Sequence, residues 1–217
     1  IFGGSLYFFT ENTALGITQA SNVSFIICTA PLLTTILSLL FYKSEKASKG
    51  LIYGSLLALM GVGLIVFNGS FVLKISPIGD LLTLLAALSW AFYSLIIKKM
   101  AGRYPTIFIT RKIFFYGVLT ILPAFLLHPL HPDTVVLLQP AVLFNLLFLA
   151  VLASLICYVL WNVVLKQLGT VRASNYIYLN PLVTMIASFL ILDEKITLVA
   201  LGDAACIVCG VYWAEKK

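Results

Sequence analysis

The sequence predicts an all-helical integral membrane protein with eight transmembrane helices. Of its 217 residues, 61% are apolar and only 10% are charged, and the mean hydropathy is +1.07. Soluble globular domains carry roughly 25% charged residues, and a single soluble core of this size could not bury so much apolar surface. The composition therefore excludes a cytosolic enzyme, a disordered chain and a disulfide scaffold.

Eight apolar stretches are long enough to cross a bilayer, whose apolar core of about 30 Å needs roughly 20 helical residues. Helices are expected because every backbone polar group must be satisfied within lipid. The spans are predicted at 2–19, 22–42, 50–67, 78–97, 106–127, 141–165, 173–192 and 197–214. Their connections, such as 43–49, 98–106 and 128–140, are polar and too short to hold a soluble domain.

The distribution of the cations predicts the orientation of the chain. All but two of the 14 Lys and Arg residues, the exceptions being Lys74 and Lys195, fall in alternate connections, at the C-terminus or, for Arg111 and Lys112, at the polar end of the fifth span that adjoins such a connection. Because cytoplasmic loops retain Lys and Arg, the C-terminus is predicted to be cytoplasmic. The net charge of +6 is explained by this topology, and no nucleic-acid partner is expected.

Two parts of the chain resemble each other at an offset of 150 residues. Matching polar or helix-breaking pairs occur at Asn12 and Asn162, Ser24 and Ser174, Pro31 and Pro181, Thr34 and Thr184, and Ser38 and Ser188. The offset then falls to 149, where Gly61 meets Gly210. The second span thus pairs with the seventh, five spans later. Because five is an odd number, the two copies enter the membrane from opposite sides. Such inverted repeats are common in secondary transporters.

The repeat divides the chain into two unequal units. Residues 1–70 form an incomplete first copy with three helices, and residues 77–217 form a second copy with five. We therefore expect a complete protein of ten helices, in which two further helices precede Ile1.

Several segments carry a resemblance to a known family. They are Tyr7-Phe-Phe-Thr-Glu-Asn-Thr-Ala-Leu15, Ala20-Ser-Asn22 with Pro31, Leu88-Ser-Trp-Ala-Phe-Tyr93, and Leu168-Gly-Thr-Val-Arg-Ala-Ser174 leading to Pro181. In this order, and over the whole chain, they resemble the EamA family of the drug/metabolite transporter superfamily. The resemblance implies ten helices, two cytoplasmic termini and a central cavity for small metabolites, which are often exported.

Glu11 is the most informative candidate for a binding site. A carboxylate inside a span is costly and usually faces a cavity or pathway. Tyr7 lies one turn away on the same helical face, with Asn12 beside it. Glu11 is predicted to bind a substrate amine or to exchange a proton; the alternative is a hydrogen-bonded structural role.

The repeat extends this candidate site to the second copy. Phe8, Glu11 and Asn12 correspond to Tyr158, Trp161 and Asn162 at the offset of 150. We therefore expect Glu11 and Trp161 on opposed walls of one pocket, with Tyr158 and Asn162 nearby.

Pro31 and Pro181 interrupt equivalent spans near their centres. Each lacks an N–H group and frees the carbonyl four residues earlier, at Ile27 and Ile177. Interrupted helices at corresponding positions favour a binding site near the midplane, although a kink that only improves packing is the alternative. Trp90 and Tyr178 are further candidates, since aromatic rings line pockets for amphipathic substrates, but in membranes they also pack or mark the interface.

The sequence predicts a multi-pass carrier that exports a small metabolite, such as an amino acid, by alternating access. No nucleotide-binding loop or metal-ligand pattern is present, and no cofactor is expected. The expected partners are a small-molecule substrate and the lipid bilayer, with possible proton coupling at Glu11; the sequence leaves the oligomeric state open. We expect a bacterial inner membrane. The alternatives are an intramembrane enzyme and a non-transporting membrane scaffold.

Overall fold

The computed structural model describes residues 1–42, 49–67, 76–127, 134–192 and 198–215, and within these ranges the regular secondary structure is helical. Its α-helices are α1 (Tyr7–Ile17), α2 (Ala20–Ile27), α3 (Ala30–Phe41), α4 (Lys49–Phe67), α5 (Pro77–Ala101), α6 (Thr106–Leu127), α7 (Thr134–Leu137), α8 (Pro140–Leu147), α9 (Cys157–Leu168), α10 (Thr170–Asn175), α11 (Asn180–Leu192) and α12 (Leu198–Glu215). A segment kinked by non-helical backbone angles at Gly3 and Gly4, Phe2–Leu6, precedes α1. A π-helical segment, Phe148–Ile156, precedes α9, and a 3₁₀ segment, Tyr176–Leu179, precedes α11.

Four helical segments of the described chain are long and apolar enough to cross a membrane. They are Asn22–Phe41, Pro77–Ala101, Thr106–Pro123 and Pro140–Leu168. These coincide with the predicted second, fourth, fifth and sixth spans. A shorter apolar helix at Lys49–Leu64 lies within the predicted third span, and helices also occupy the described parts of the remaining three.

The breaks in the second and seventh spans lie at the offset seen in the sequence. After each break an α-helix begins, α3 at Ala30 and α11 at Asn180, 150 residues later.

Both prolines stand as the second residue of a helix that follows a break. Pro31 lies in the first turn of α3. At the break before it, Thr29 donates both its N–H (2.9 Å) and its hydroxyl (2.6 Å) to the carbonyl of Ile26. Before Pro181, the carbonyl of Ile177 accepts the N–H of Asn180. The carbonyl that Pro181 cannot pair is thus satisfied by a 3₁₀ turn, which explains why the helix tightens there.

Helices α4 and α12 pack closely and run antiparallel. A β-carbon on Gly54 would collide with the backbone of Gly210 and Ala214, and one on Gly61 would lie 3.0 Å from the carbonyl oxygen of Asp203. A later residue of α4 thus meets an earlier residue of α12, which shows that the two helices run in opposite directions. Glycine is needed at these points because small residues let two membrane helices approach backbone to backbone.

The buried apolar residues form two cores. One joins α4 and α12 to the broken second and seventh spans through Cys28, Ala58, Val62, Tyr178, Ile207 and Val211. The other joins α5, α6, α9 and α10 through Tyr93, Ile97, Ile109, Tyr158, Leu165 and Ala173. Most of the candidate residues lie at the edge of this second core, where α1 packs against α5.

Candidate functional site

Five aromatic rings meet where α1, α5 and α9 converge. Trp90 is central: its ring centroid lies 5.1 Å from that of Tyr7, 5.2 Å from Tyr93, 5.7 Å from Trp161 and 6.0 Å from Tyr158. These spacings are those of favourable aromatic pairs. We call these five residues the Trp90 cluster. It unites Tyr7, Trp90, Tyr158 and Trp161, which the sequence identified separately.

The Trp90 cluster carries a carboxylate at its edge. The hydroxyl of Tyr7 donates a 2.9 Å hydrogen bond to Oε1 of Glu11, one helical turn away on α1. Glu11 is half-buried, and no Lys or Arg in the described part of the chain forms an ion pair with it. The carboxylate is therefore oriented by one tyrosine but keeps acceptor capacity for a further donor.

Two indole N–H groups in the cluster have no acceptor. Nε1 of Trp90 and Nε1 of Trp161 are both buried without a hydrogen-bond partner in the described structure. A buried donor left unpaired costs about 1–3 kcal/mol, so such groups call for an explanation. The two indole N–H groups thus supply hydrogen-bond donors to an aromatic surface that has the Glu11 carboxylate as an acceptor at its edge.

Asn162 holds three helices together behind the rings. Its Oδ1 accepts the hydroxyl of Tyr93 at 2.7 Å, and its Nδ2 donates to the hydroxyl oxygen of Thr110 at 3.0 Å. Asn162 is only 1% exposed. The hydroxyl of Tyr158 is likewise satisfied, since it donates to the carbonyl of Gly3 at 2.7 Å. Asn162 and Tyr158 thus fix the position of the rings.

Four candidates neither belong to the Trp90 cluster nor form a hydrogen bond with one of its side chains in the described structure. Asn12 is exposed and donates to the carbonyl of Phe8 within its own helix. Pro31 and Pro181 are buried at the two helix breaks. Tyr178 is fully buried in the core formed by α4 and α12, with its hydroxyl unpaired in the described structure.

Two residues of the site were missed by sequence reasoning. Thr110 binds Asn162, and the ring of Phe114 lies 5.3 Å from that of Tyr158. Both are on α6, and neither residue type stands out in an apolar span. Their place follows from the packing of α6 against α9, which the sequence does not specify.

The described residues contain no group of three His, Cys, Asp or Glu side chains that could hold a metal ion. The chemistry available at the Trp90 cluster is therefore that of aromatic faces, hydrogen-bond donors and one carboxylate.

The whole chain matches one protein family. Residues 1–67 and 77–214 match the model of the EamA-like transporter family. The chain belongs to this family. Its membership of this family and its apolar helices together indicate that the EamA-like chain is an integral membrane protein. Its general function is the transport of small molecules.

Individual relatives are 23–29% identical to the EamA-like chain over the aligned residues. An "Uncharacterized transporter" of Archaeoglobus fulgidus is 29% identical over 218 residues, which cover 99% of this chain and 73% of the relative. A "Probable amino-acid metabolite efflux pump" of Salmonella typhimurium is 28% identical over 182 residues, covering 79% of this chain and 60% of the relative. A protein of the same name from Escherichia coli is 23% identical over 205 residues, which cover 92% of this chain and 69% of the relative.

The fold of the EamA-like chain also occurs in a solved structure. A protein crystal structure with 19% identical residues superposes with a TM-score of 0.81 and covers 99% of this chain and 72% of its own. At this identity the comparison establishes the shared fold alone.

Proposed function

We propose that the protein is a carrier that moves a small amphipathic metabolite, such as an amino acid, out of the cell by alternating access. The observation that carries the proposal is the Trp90 cluster with Glu11 at its edge. A carboxylate, two unpaired indole donors and several aromatic rings in mutual contact converge inside an apolar membrane protein. This combination matches a substrate that has both charged and apolar parts.

The roles of the residues follow from their hydrogen-bonding capacity. Glu11 accepts a hydrogen bond from a substrate amine or exchanges a proton, and Tyr7 orients its carboxylate. The indole N–H groups of Trp90 and Trp161 donate to a substrate carboxylate. Trp90 also offers a ring face to an ammonium group, since cations bind best over tryptophan.

The absence of cations at the rings argues against phosphorylated substrates. Among the described residues, the cation–π contacts of Lys98, Arg111 and Lys112 involve Tyr42, Phe108, Phe115 and Tyr116, none of which belongs to the Trp90 cluster. A phosphate group would favour Arg or Lys at its site. The relatives in Salmonella and Escherichia coli, named as amino-acid metabolite efflux pumps, support an amino-acid substrate.

The proposed mechanism needs two inverted repeats, which we assign to residues 1–70 and 77–217, with eight spans in this chain and a cytoplasmic C-terminus. The contacts of α4 and α12 support this symmetry. Gly61 faces Asp203 and Ile207, while Gly210 faces Gly54 and Ala58. At the offset of 149, Gly61 corresponds to Gly210, while Gly54 and Ala58 correspond to Asp203 and Ile207. The contacts of each glycine are therefore the counterparts of the contacts of the other.

In this mechanism the two units rock about the central site, as in other carriers with inverted repeats. The breaks before Pro31 and Pro181 occupy equivalent positions in the two units. They allow the halves of the second and seventh spans to tilt separately. The substrate then faces one side of the membrane at a time.

The proposal is tested by counterflow in proteoliposomes. The purified protein, reconstituted with an unlabelled amino acid inside, is expected to exchange it for the labelled amino acid in a saturable manner. Glu11→Gln is expected to lose this exchange or its dependence on pH. Thr13→Val is the matched control, because Thr13 is exposed on the same helix and bonds only to the carbonyl of Phe9 among the described residues.

The outcomes separate the alternatives. Exchange that is lost in Glu11→Gln and kept in Thr13→Val supports the carrier and the role of Glu11. Normal exchange in Glu11→Gln at every pH retains the carrier but refutes that role. Exchange of no amino acid or related metabolite in a broad panel contradicts the carrier and favours an enzyme or a scaffold.

A further inference from the structure

A cavity opens between α5, α6 and the N-terminal segment. Its volume is about 420 Å³, within the range of roughly 300–1,000 Å³ typical of ligand sites. Apolar side chains from both helices line most of it, among them Ile96, Met100, Ile109 and Ile113. We call this cavity the α5–α6 groove.

The α6 side of the α5–α6 groove carries one basic and several aromatic side chains. Lys112 lines it together with Tyr104, Phe108 and Tyr116. The Lys112 Nζ atom lies 5.8 Å from the ring centroid of Phe108 and 5.9 Å from that of Tyr116. The guanidinium of Arg111 lies 5.3 Å from the Phe108 ring. Among the described residues, no carboxylate forms an ion pair with either cation, and none lines the groove.

The shape and charge of the groove match one class of ligand. A long apolar wall next to an uncompensated cation is complementary to an amphiphile with an anionic head group. The orientation predicted from the cations puts the N-terminal half of α6 towards the cytoplasmic face, where anionic lipids attract basic segments and basic pockets between helices bind phosphate head groups. Tyr104, just before α6, suits the level of the head groups.

We propose that the α5–α6 groove binds one anionic phospholipid. Its phosphate lies at Lys112 and Arg111, and one acyl chain lies along Ile96, Met100 and Ile113. The lipid is a ligand distinct from the transported substrate. The lining of the groove nevertheless adjoins the Trp90 cluster, since it includes Tyr93 and also Gly3, whose carbonyl accepts the hydroxyl of Tyr158.

The test measures how much phospholipid the purified protein retains. After exchange into nanodiscs of phosphatidylcholine with phosphatidylglycerol as the anionic probe, native mass spectrometry counts the phosphatidylglycerol that remains bound. A basic residue near an anionic surface contributes about a five-fold preference, so Lys112→Gln is expected to lower retention about five-fold. Lys99→Gln is the matched control, since Lys99 is exposed at the end of α5 and does not line the groove.

A second variant tests the apolar part of the groove without changing any charge. Ile96 lines the groove and is 43% exposed. We therefore expect Ile96→Trp to be tolerated by the fold and to fill part of the groove. It is expected to displace the retained phosphatidylglycerol while leaving the secondary structure, measured by circular dichroism, unchanged. Equal losses in Lys112→Gln and Lys99→Gln, or full retention in Ile96→Trp, would overturn the proposal in favour of a general attraction between charges.

Discussion

The hydroxyl of Tyr93 donates a 2.7 Å hydrogen bond to Oδ1 of Asn162. This bond joins α5 to α9, and both residues are buried, with exposed fractions of 4% and 1%. Because the ring of Tyr93 also packs against that of Trp90 at a tilt of 51°, the bond helps to fix the ring that lies at the centre of the proposed site. The equivalent residue in the first repeat, Asn12, has no such role in the described structure, since it bonds only within its own helix.

The two asparagines are therefore predicted to differ in their contribution to stability. Asn162→Ala leaves the buried hydroxyls of Tyr93 and Thr110 without this partner, which should lower the free energy of unfolding by about 2 kcal/mol. Asn12→Ala should change it by less than about 0.5 kcal/mol, as expected for an exposed position. Thermal unfolding of the two variants in the same detergent measures the difference. Equal melting temperatures would contradict the assignment of Asn162 as the residue that joins the helices.

The contact of α4 with α12 predicts opposite effects for two glycines of one helix. A β-carbon on Gly210 would lie 2.8 Å from Cα of Ala58 and 2.7 Å from the carbonyl oxygen of Gly54. Since both are backbone atoms, no side chain can move aside, and Gly210→Ala should destabilise the protein by about 1–3 kcal/mol. Gly202→Ala is the matched control, because nothing lies within 4 Å of its β-carbon. It should stabilise α12 by up to about 1 kcal/mol.

Thermal unfolding distinguishes these two substitutions directly. A lower melting temperature for Gly210→Ala, together with an equal or higher one for Gly202→Ala, supports the close contact. Tolerance of Gly210→Ala would mean that α4 and α12 are further apart than the structure shows.

The unpaired indole donors predict a loss of transport without a loss of stability. Replacing Trp90 by 3-benzothienylalanine keeps the shape of the ring and removes only the N–H group. Because that group has no partner in the described structure, stability should fall little or even rise. If the N–H donates to the substrate carboxylate, KM should rise about ten-fold, since a hydrogen bond to a charged group is worth about 1.5–3 kcal/mol.

The control for this experiment is the same replacement at Trp213, which is 54% exposed on α12. It should leave both KM and kcat unchanged. An unchanged KM after replacement at both Trp90 and Trp161 would show that the indole donors do not bind the substrate.

The sequence predicted those features of the site that depend on local geometry. Helical periodicity placed Tyr7 and Glu11 on one face, and the structure shows the hydrogen bond between them. The repeat pointed to Trp161 and Tyr158 as partners of the Glu11 face, and both lie in the Trp90 cluster. The family, the helical class and the positions of the two breaks also followed from residues that can be read along the chain.

Features that depend on packing between helices could not be predicted. Asn12 and Asn162 are equivalent in sequence, yet one is exposed and the other buried, because burial depends on which helices surround each residue. Thr110 resembles the other threonines of the chain, and its bond to Asn162 requires the contact between α6 and α9. The π-helical segment before α9 likewise has no signature in the residue types along the chain.

The central claim, that the Trp90 cluster binds the substrate, is tested most directly by tryptophan fluorescence. The chain has three tryptophans, and two of them, Trp90 and Trp161, belong to the cluster. In a Trp213→Phe background, any fluorescence change therefore arises there. We predict that the amino acid with the highest counterflow causes a saturable change, and that Glu11→Gln abolishes it. A substrate that the Trp213→Phe protein transports without any change in fluorescence would contradict the claim.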